Sequence, residues 1–393
     1  MTADKYLSMR EKVSGFSFAN LGIFSGFASS IIGAVYSLVL LDIFHNSAIV
    51  GVYVSIYYAF ALIIGLFAGE IFKRISKARL FYVCLLFAGI LYFMMAFSIK
   101  PATFISLDFL SAVPQVLIGL LIPLFMADFS KDIGMAKLNG RYWLWVNVGA
   151  LVAPMLAVLI ADSFGLRAPF FAAAAMYFAG LAVFSRMRII QQDKKAKAIN
   201  PNRTLKSVWR STILFFRRPA FVRAYLVLFG AYALVAMRVI YVPIIVMEQG
   251  FSKDILGLIL TLGIVPYVVL SQPMAWLAKK YGKKQWLLAG FLSFAVLAFC
   301  ALFAQGWTLL VIFVLWQISG AFIEPLRDLL FFDAAKKEER ARFMGIFRTA
   351  SSIPRFIAPL LGAVAIFAFG ATSAVWIITV FIALLASFVL LRK

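Results

Sequence analysis

Charged residues are scarce in this chain of 393 residues. They account for 14% of the sequence, whereas a soluble domain is about one quarter charged, and 64% of the residues are hydrophobic. A chain of this length has no way to hide so much apolar surface in water. The composition therefore excludes a soluble globular protein and indicates a polytopic membrane protein.

Residues that commonly carry enzyme chemistry are also rare. The chain has two cysteines and one histidine. Cys84 and Cys300 lie inside apolar runs, which gives no support for a disulfide framework. His45 falls in a short turn, and the sequence contains no metal-site pattern, catalytic triad or Gly-x-x-x-x-Gly-Lys-Ser/Thr phosphate loop, so we expect no enzyme activity, no cofactor and no ATP-driven mechanism. The first apolar run, Phe16 to Leu41, is too long for the core of a cleavable signal peptide.

Apolar segments of about twenty residues, the length at which a helix crosses a bilayer, recur along the whole chain. Twelve such spans are predicted, which makes the expected fold all-α. The one long polar connection, 188–219, follows the sixth span. The predicted limits are 16–41, 47–72, 79–99, 103–127, 141–162, 166–187, 221–247, 254–278, 285–304, 307–332, 343–369 and 371–391.

The net charge of +22 would suggest a nucleic-acid partner, but Lys and Arg sit in short turns between spans rather than on one face of a domain. If the N-terminus is cytoplasmic, the cytoplasmic segments, counted with the span ends that adjoin them, hold 31 of the 38 Lys and Arg residues. The opposite connections hold three, Lys100, Arg167 and Lys253. This asymmetry follows the positive-inside rule and predicts that both termini are cytoplasmic. We expect the chain to lie in the bilayer of the cytoplasmic membrane, with no nucleic-acid partner.

The long connection after the sixth span is basic and has an apolar face. The residues at helical spacing on this face are Leu205, Val208, Trp209, Thr212 and Phe216. A helix that lies on an anionic leaflet has this pattern. A flexible basic linker fits the composition equally well, and the sequence leaves both interpretations open.

Three short matches divide the chain into two similar halves. The matched segments are 73–77 with 279–283, Asp128 with Asp333, and 153–157 with 358–362, at offsets of 206, 205 and 205 residues. A nearly constant offset indicates a duplicated unit of six spans. The predicted halves are 1–187 and 221–393, joined by a cytoplasmic basic linker at 188–220.

The two basic turns carry a recognisable signature. The first reads Gly69-x-x-x-Lys73-Arg74-x-Ser76-Lys77, and the second reads Ala275-x-x-x-Lys279-Lys280-x-Gly282-Lys283-Lys284. Both resemble the loop signature Gly-x-x-x-Asp-Arg-x-Gly-Arg-Arg of the major facilitator superfamily of secondary transporters, and the resemblance extends over essentially the whole chain. It implies twelve helices in two pseudo-symmetric six-helix halves, which expose a central site to each side of the membrane in turn. We expect such a protein to be a monomer.

The sequence departs from the family signature at one position of each turn. Lysine, at Lys73 and Lys279, replaces the aspartate that in the family helps to latch the halves on the cytoplasmic side. Glu70, one helical turn before Lys73, offers a carboxylate nearby. "GALVAP" at 149–154 is similar to a fifth-span signature associated with antiporters, and 338–352 is similar to a loop of many bacterial exporters. The resemblance therefore points to an exporter or antiporter.

In the family, the first, fourth, seventh and tenth spans line the central cavity, and each carries a polar or small-residue stripe here. The candidate substrate or coupling residues are Arg238, Glu324, Arg355, Tyr241, Gln317, Trp316, Gln115, Asp108 and Tyr36. The candidate residues of a cytoplasmic gate are Lys73, Arg74, Lys279, Lys280, Arg327, Asp328 and Arg348.

Two arginines lie deep in their spans. At the helical rise, Arg355 is roughly 18 Å from the cytoplasmic start of the eleventh span, and Arg238 is about 14 Å from the outer end of the seventh. An arginine at the bilayer centre costs roughly 3 kcal/mol, so each needs water, a carboxylate or an anionic ligand. We expect Glu324 to pair with Arg355 or Arg348, either as a fixed pair or as one that a proton or substrate breaks. Asp108 is expected to snorkel to the outer surface, with proton coupling as the alternative.

These observations favour a secondary transporter that moves a small molecule by alternating access. Protons are a candidate coupling ion because Glu324 and Asp328 can titrate in a low-dielectric setting. The first span contains no acidic residue, which keeps open a facilitator or an anion exchanger that uses Arg238 and Arg355. A lipid flippase on the same fold is a further alternative.

Overall fold

The computed structural model describes residues 15–128, 135–187, 201–335 and 337–391. Within these ranges the chain forms α-helices joined by short turns. In chain order the helices are α1 (Gly15–Asn20), α2 (Gly22–Phe44), α3 (Ser47–Arg74), α4 (Lys77–Phe97), α5 (Pro101–Asp128), α6 (Met135–Phe164), α7 (Pro169–Arg186), α8 (Pro201–Phe216), α9 (Pro219–Glu248), α10 (Lys253–Leu262), α11 (Val265–Tyr281), α12 (Lys283–Ala301), α13 (Gly306–Ile323), α14 (Leu329–Ala334), α15 (Lys337–Ser352), α16 (Pro354–Phe369) and α17 (Val375–Leu391).

Twelve segments of the described chain are long and apolar enough to cross a membrane. Their positions agree with the spans predicted from hydropathy. The predicted third span, 79–99, is observed as Lys77–Phe97, and the predicted ninth, 285–304, as Lys283–Ala301. The predicted all-α fold with twelve spans is therefore confirmed.

The two basic turns end their helices in different ways. In the second turn Gly282 has φ 99°, a left-handed backbone conformation that favours glycine, and this lets α12 begin directly after α11. In the first turn Ser76 takes the equivalent place with φ −56°. Its hydroxyl accepts a hydrogen bond from the backbone N–H of Arg79 at 3.3 Å, which caps the N-terminus of α4.

Four of the predicted spans are interrupted within the described residues. The breaks lie at residue 21 in the first span, 263–264 in the eighth, 324–328 in the tenth and 353 in the eleventh. Proline accounts for part of this pattern, because it has no backbone N–H to donate and is favoured in the first turn of a helix. Pro266 and Pro354 open α11 and α16 in this way, and Pro325 lies inside the turn after α13.

By internal contacts the chain divides into two compact units. The first unit has the bounds Met1–Val35 and Ile63–Lys197, and the second has the bounds Tyr36–Leu62 and Ala198–Lys393. The end of α2 and the beginning of α3 therefore pack within the second unit. The domain limits at 187 and 221 stay a prediction.

The first unit is held together by aromatic side chains between α4, α5 and α7. The ring of Phe81 lies 4.7 Å from that of Phe184 and 5.6 Å from that of Phe125. Tyr92 and Tyr177 stack with their ring centroids 5.4 Å apart. Such ring pairs contribute beyond their buried area, and they fix the distance between these three helices.

In the second unit the most extensively buried helix is α9, and the helices α16 and α17 pack along it. Beside them, α12 packs against α13 and α17. Trp316 of α13 and Trp376 of α17 meet edge to face with centroids 5.3 Å apart, and both residues are buried. This packing holds α9 and α13 in place, and these helices carry most of the residues described below.

The helix α8 confirms the helical interpretation of the long connection from residue 201 onward, and the flexible-linker interpretation is wrong for 201–216. Residues 188–200 lie outside the described part of the chain. Phe215 of α8 is fully buried in an aromatic cluster with Phe221 and Phe343. On the other side of α8, Trp209 is 69% exposed and Phe216 is 45% exposed. Contact of this exposed face with a lipid leaflet stays a prediction.

Candidate substrate and coupling site

Gln317 of α13 contacts two other polar side chains, one on α9 and one on α11. Its Oε1 accepts a hydrogen bond from Nη1 of Arg238 on α9. The same oxygen accepts a hydrogen bond from the hydroxyl of Tyr267 on α11, at 3.3 Å. The Arg238 guanidinium also lies 5.8 Å from the centre of the Tyr267 ring. The structure thus brings together Arg238 and Gln317, two of the predicted site residues.

A second group of polar side chains surrounds Tyr232 of α9. Arg327 donates a hydrogen bond from Nη2 to the Tyr232 hydroxyl at 3.2 Å, and its guanidinium lies 4.3 Å from the centre of that ring. Arg355 lies 5.7 Å from the centre of the same ring. The carboxylate of Glu324 is 3.5 Å from Nη2 of Arg327. Tyr232 is therefore shared by two guanidinium groups.

The two groups form one cluster, because Tyr267 interacts electrostatically with Arg238, Glu324 and Arg327. We refer to the seven residues together as the arginine cluster: Arg238, Arg327, Arg355, Glu324, Tyr232, Tyr267 and Gln317. It contains three cationic side chains and one carboxylate.

The protein supplies only part of the compensation that these cations need. An arginine at the centre of a bilayer costs roughly 3 kcal/mol even on the lenient scale. Cation–π contacts with tyrosine return about 0.5–1 kcal/mol each at exposed sites and more when desolvated. The Nε of Arg327 is buried and has no hydrogen-bond partner among the described groups. The arrangement therefore has unused capacity to bind negative charge.

The ion pairs differ from the expected ones. Glu324 pairs with Arg327 of its own turn, rather than with Arg348 or Arg355. Arg348 lies 3.6 Å from Oδ2 of Asp328. Residues 324 and 327 are three apart, a spacing at which side chains meet locally, so Glu324 finds its partner within its own segment. The pairing predicted from the sequence treats the tenth span as one continuous helix, whereas the structure interrupts this span at 324–328.

Two predicted site residues are used in packing instead. Tyr241 is fully buried, and its hydroxyl donates a hydrogen bond to the carbonyl of Pro359 at 2.7 Å. Gly51 and Gly362 lie so close to its ring that a Cβ at either position would overlap it. Trp316 packs edge to face against Phe294 at 5.3 Å. Neither side chain contacts the arginine cluster in the described structure.

The predicted residues in the first half of the sequence have contacts of their own. Asp108 is 2% exposed, so the expectation that it snorkels to the surface is wrong: the carboxylate belongs to a residue buried within the first unit. Gln115 donates a hydrogen bond from Nε2 to the Ser111 hydroxyl at 3.0 Å. Tyr36 lies with its ring centre 6.3 Å from that of Tyr57.

The predicted cytoplasmic gate is visible only in part, because the side chains of Lys73, Arg74 and Lys279 lie outside what the structure describes. Lys280 is placed over the ring of Tyr281 at 5.0 Å. The gate residues Arg327, Asp328 and Arg348 form the pairs described above, and Arg327 thereby joins the candidate substrate site.

Two ion pairs were not predicted, and both lie at the end of the second unit that carries the predicted gate. Lys283 of the second basic turn lies 2.7 Å from the carboxylate of Asp333, and Arg218 forms two contacts with Glu339, at 2.8 and 3.0 Å. The signal was present in the sequence, because Asp333 marks the internal repeat, but a repeat landmark does not reveal its partner. The lysine-rich turn thus finds an acidic partner at the end of the tenth span.

The sequence analysis also missed a chain of hydrogen bonds at the end of the second unit where α9 ends and α3 begins. Glu248, the last residue of α9, accepts a hydrogen bond from the Thr372 hydroxyl at 2.8 Å. That hydroxyl lies 2.8 Å from the hydroxyl of Ser47, the first residue of α3. None of the three stands out in the sequence, because each lies at a span boundary where polar residues are common.

A cavity of about 250 Å³ in the first unit is a separate feature. Its wall is largely apolar and includes Phe24. Its polar side chains include Ser17 and Asn20, the last residue of α1. Asn20 Oδ1 accepts hydrogen bonds from Arg141 and from Trp145, at 2.8 and 2.9 Å. The Asn20 side chain thus holds α1 against α6.

Among the described residues there is no group of three His, Cys, Asp or Glu side chains that could hold a metal ion.

The comparisons with known proteins agree with this architecture. The family model of the Major Facilitator Superfamily matches residues 18–252 and 224–393, which together extend over nearly the whole chain. The chain belongs to the Major Facilitator Superfamily. No sequence among the curated proteins matches it significantly.

Solved structures of Major Facilitator Superfamily type share the fold at low sequence identity. A variant of the nucleoside transporter NupG matches with a TM-score of 0.71 at 13% identity, over 96% of this chain and 98% of that one. A bacterial homolog of the human lysosomal transporter Spinster matches with a TM-score of 0.72 at 12% identity, over 96% and 95%. The peptide transporter POT in complex with sulfate matches with a TM-score of 0.69 at 14% identity, over 95% and 93%.

As a member of the Major Facilitator Superfamily, the protein is an all-α membrane transporter with twelve spans in two six-helix halves. At these identities the structural neighbours show the fold and not the substrate. In this chain the arginine cluster lies in the seventh, eighth, tenth and eleventh spans.

Proposed function

We propose that the protein is a secondary active transporter that moves a small molecule across the cytoplasmic membrane by alternating access. Both termini are cytoplasmic in this proposal, and the protein acts as a monomer. The arginine cluster is the place where the substrate or the coupling ion acts. The observation that carries the proposal is the cluster itself: three arginines within the seventh, tenth and eleventh spans, held by neutral side chains and a single carboxylate.

Physical reasoning separates this cluster from a structural ion-pair network. A fixed pair that stabilises a membrane protein has matched charges, because an uncompensated buried charge is strongly destabilising. Here Arg238 and Arg355 contact an amide and aromatic rings rather than carboxylates. Contacts of this kind exchange easily with a ligand, since breaking them does not strand an opposite charge.

Two coupling modes follow from the cluster. In the first, Glu324 binds and releases a proton, and the protein is a proton-coupled exporter. The side chain of Glu324 is 41% exposed, which gives a proton access to it. In the second, the protein exchanges one anion for another and needs no proton. The excess of arginine over carboxylate favours the second mode.

The proposal is tested with purified protein in liposomes. A thermal-shift screen against metabolites, drugs and lipids first finds a compound that stabilises the folded protein. Counterflow of that compound is then measured for the wild type, for Arg238→Gln and for Arg186→Gln, a control at the exposed cytoplasmic end of α7. We expect counterflow in the wild type and in the control and its loss in Arg238→Gln. Equal counterflow in all three proteins would remove the arginine cluster from the transport site.

Alternating access itself is tested at the outer end of the second unit. Cysteines at positions 47 and 372 replace two hydroxyl groups that lie 2.8 Å apart. Oxidation of Ser47→Cys/Thr372→Cys should stop transport, and reduction should restore it, because a locked outer contact cannot open to that side. Each single cysteine variant is the control. Undiminished transport by the fully oxidised protein would contradict alternating access.

A further inference from the structure

We infer that the ligand of the arginine cluster is an organic anion with two negative charges, that is, a dicarboxylate or a phosphate monoester. This inference rests on the proposed function, which places the substrate at this cluster. It adds the charge and the chemical class of the substrate, which are argued from the groups that face one another there.

The first argument is the balance of charge. Three guanidinium groups, from Arg238, Arg327 and Arg355, stand against the single carboxylate of Glu324. The neighbouring Arg348 and Asp328 form a pair of zero net charge and leave this balance unchanged. The cluster therefore carries two positive charges in excess. A ligand with two negative charges makes the occupied site neutral, and this is the state that transfers across a low-dielectric region at least cost.

The second argument is the supply of hydrogen-bond donors. A guanidinium presents five N–H groups in a planar fork that matches two oxygens of a carboxylate or phosphate. Arg238 uses one nitrogen on Gln317, and the described contact of Arg355 is with the Tyr232 ring. Arg355 is exposed, so its donors are accessible to a ligand. The Nε of Arg327, which is buried and has no hydrogen-bond partner among the described groups, is a further donor.

The third argument is what the cluster lacks. A cationic substrate would find one carboxylate, already 3.5 Å from Arg327, and would be repelled by three arginines. A neutral substrate would leave two positive charges without compensation at the moment when water is excluded. Phosphate and sulfate share the required charge but have no carbon skeleton. The aromatic rings of Tyr232 and Tyr267 offer apolar surface only to an organic ligand.

The test measures the binding of defined probes to the purified protein by thermal shift and calorimetry. The probes are succinate and glycerol 3-phosphate as organic dianions, lactate as a monoanion, choline as a cation, glycerol as a neutral compound, and inorganic phosphate and sulfate. We expect succinate or glycerol 3-phosphate to bind at least tenfold more tightly than lactate, and choline and glycerol not to bind. Binding of phosphate and sulfate without either organic dianion would overturn the organic class. Preferential binding of choline or glycerol would overturn the inference entirely.

Variants tie the binding to the cluster. Arg238→Gln and Arg355→Gln each lower the excess charge from two to one, so the dianion should bind at least tenfold more weakly and its advantage over lactate should fall. Arg238→Lys keeps the charge and loses the fork, and we expect an intermediate affinity. It also guards against a Gln variant that fails to fold. Arg186→Gln should bind like the wild type. Unchanged dianion binding in both Gln variants would refute the assignment to these arginines.

Counterflow separates a failure of this inference from a failure of the proposed function. If choline or glycerol exchanges across liposomes and the dianions do not, the protein is a transporter and the anion assignment is wrong. If the dianions exchange and the exchange is lost in Arg238→Gln, both proposals are supported. If the dianions bind but neither exchanges, the proposed function fails, and with it the claim that the cluster is a substrate site.

Discussion

Gly320 of α13 offers a way to disturb the arginine cluster without removing any of its charged groups. A Cβ at this position would overlap the hydroxyl of Tyr267 and lie 2.8 Å from Cζ of the same ring, closer than real Cβ atoms approach other atoms. All three nearest atoms belong to Tyr267, so the strain of Gly320→Ala falls on that side chain. Tyr267 must rotate away, and its hydrogen bond to Gln317 is then lost.

The size of the effect follows from this single displacement. A hydrogen bond of this kind contributes roughly 1 kcal/mol, and a side chain held about 30° from its preferred rotamer costs a similar amount. A loss of about 1–2 kcal/mol in substrate binding corresponds to roughly a five- to thirty-fold increase in KM. Folding should not suffer equally, because alanine is a better helix former than glycine by about 1 kcal/mol. We therefore expect a higher KM with normal yield and an unchanged melting temperature.

The measurement is the KM of counterflow in liposomes, with Gly119→Ala as the matched control. Gly119 also lies in a membrane-spanning helix, and a Cβ there has no neighbour within 4 Å. Tyr267→Phe removes the hydroxyl that the new methyl group would displace. The effects of Gly320→Ala and Tyr267→Phe should therefore be less than additive. A KM for Gly320→Ala equal to that of Gly119→Ala would refute the assignment of Tyr267 to the substrate site.

Three further predictions concern coupling, topology and the lipid interface. If Glu324 carries a proton, Glu324→Gln should abolish gradient-driven accumulation and leave counterflow intact. Unchanged accumulation would exclude this role, and this is the result expected if the protein exchanges anions without protons. A cysteine at Ile99, which is 87% exposed, should react with an impermeant maleimide from outside, whereas a cysteine at the exposed Arg210 should react only after permeabilisation; the reverse labelling would invert the topology. Trp209→Phe should remove the part of the tryptophan fluorescence that brominated anionic lipids quench, since Trp209 is 69% exposed on a basic helix; equal quenching in both proteins would place α8 away from the leaflet.

Hydropathy and charge predict the framework of this protein because both signals are local. A span requires about twenty apolar residues whatever its neighbours are, and the lysines at 279–284 predict a cytoplasmic turn by the same rule that applies to every short loop. Arg238 and Arg355 are singled out by depth, which also follows from position in a span. These inferences need no knowledge of which helices touch.

Contacts between helices decide what the sequence could not predict. Tyr241 and Trp316 make packing contacts, and helical spacing does not tell which face of a helix is turned inward; their place in a substrate site stays a prediction. Asp108 is buried rather than snorkelling, because burial depends on neighbouring helices that the local sequence does not reveal. Tyr267 was overlooked because the eighth span was not among those expected to contribute. Its role depends on the approach of α11 to Gln317, which has no signature in the sequence.

The helix breaks of the eighth and tenth spans explain why the cluster lies where it does. Backbone that leaves the helical conformation inside a membrane is tolerated only where protein or water satisfies the freed groups. The break at 263–264 lies beside Gln317, which comes within 3.1 Å of a Cβ built at Gly263. The break at 324–328 contains Glu324 and Arg327. The Arg327 guanidinium lies over the Tyr232 ring, and both side chains interact electrostatically with Tyr267. The two breaks thus meet the same group of cations and tyrosines. In our proposal, an anion that replaces Glu324 at Arg327 acts directly on the turn at 324–328, and this would link binding to movement of the tenth span.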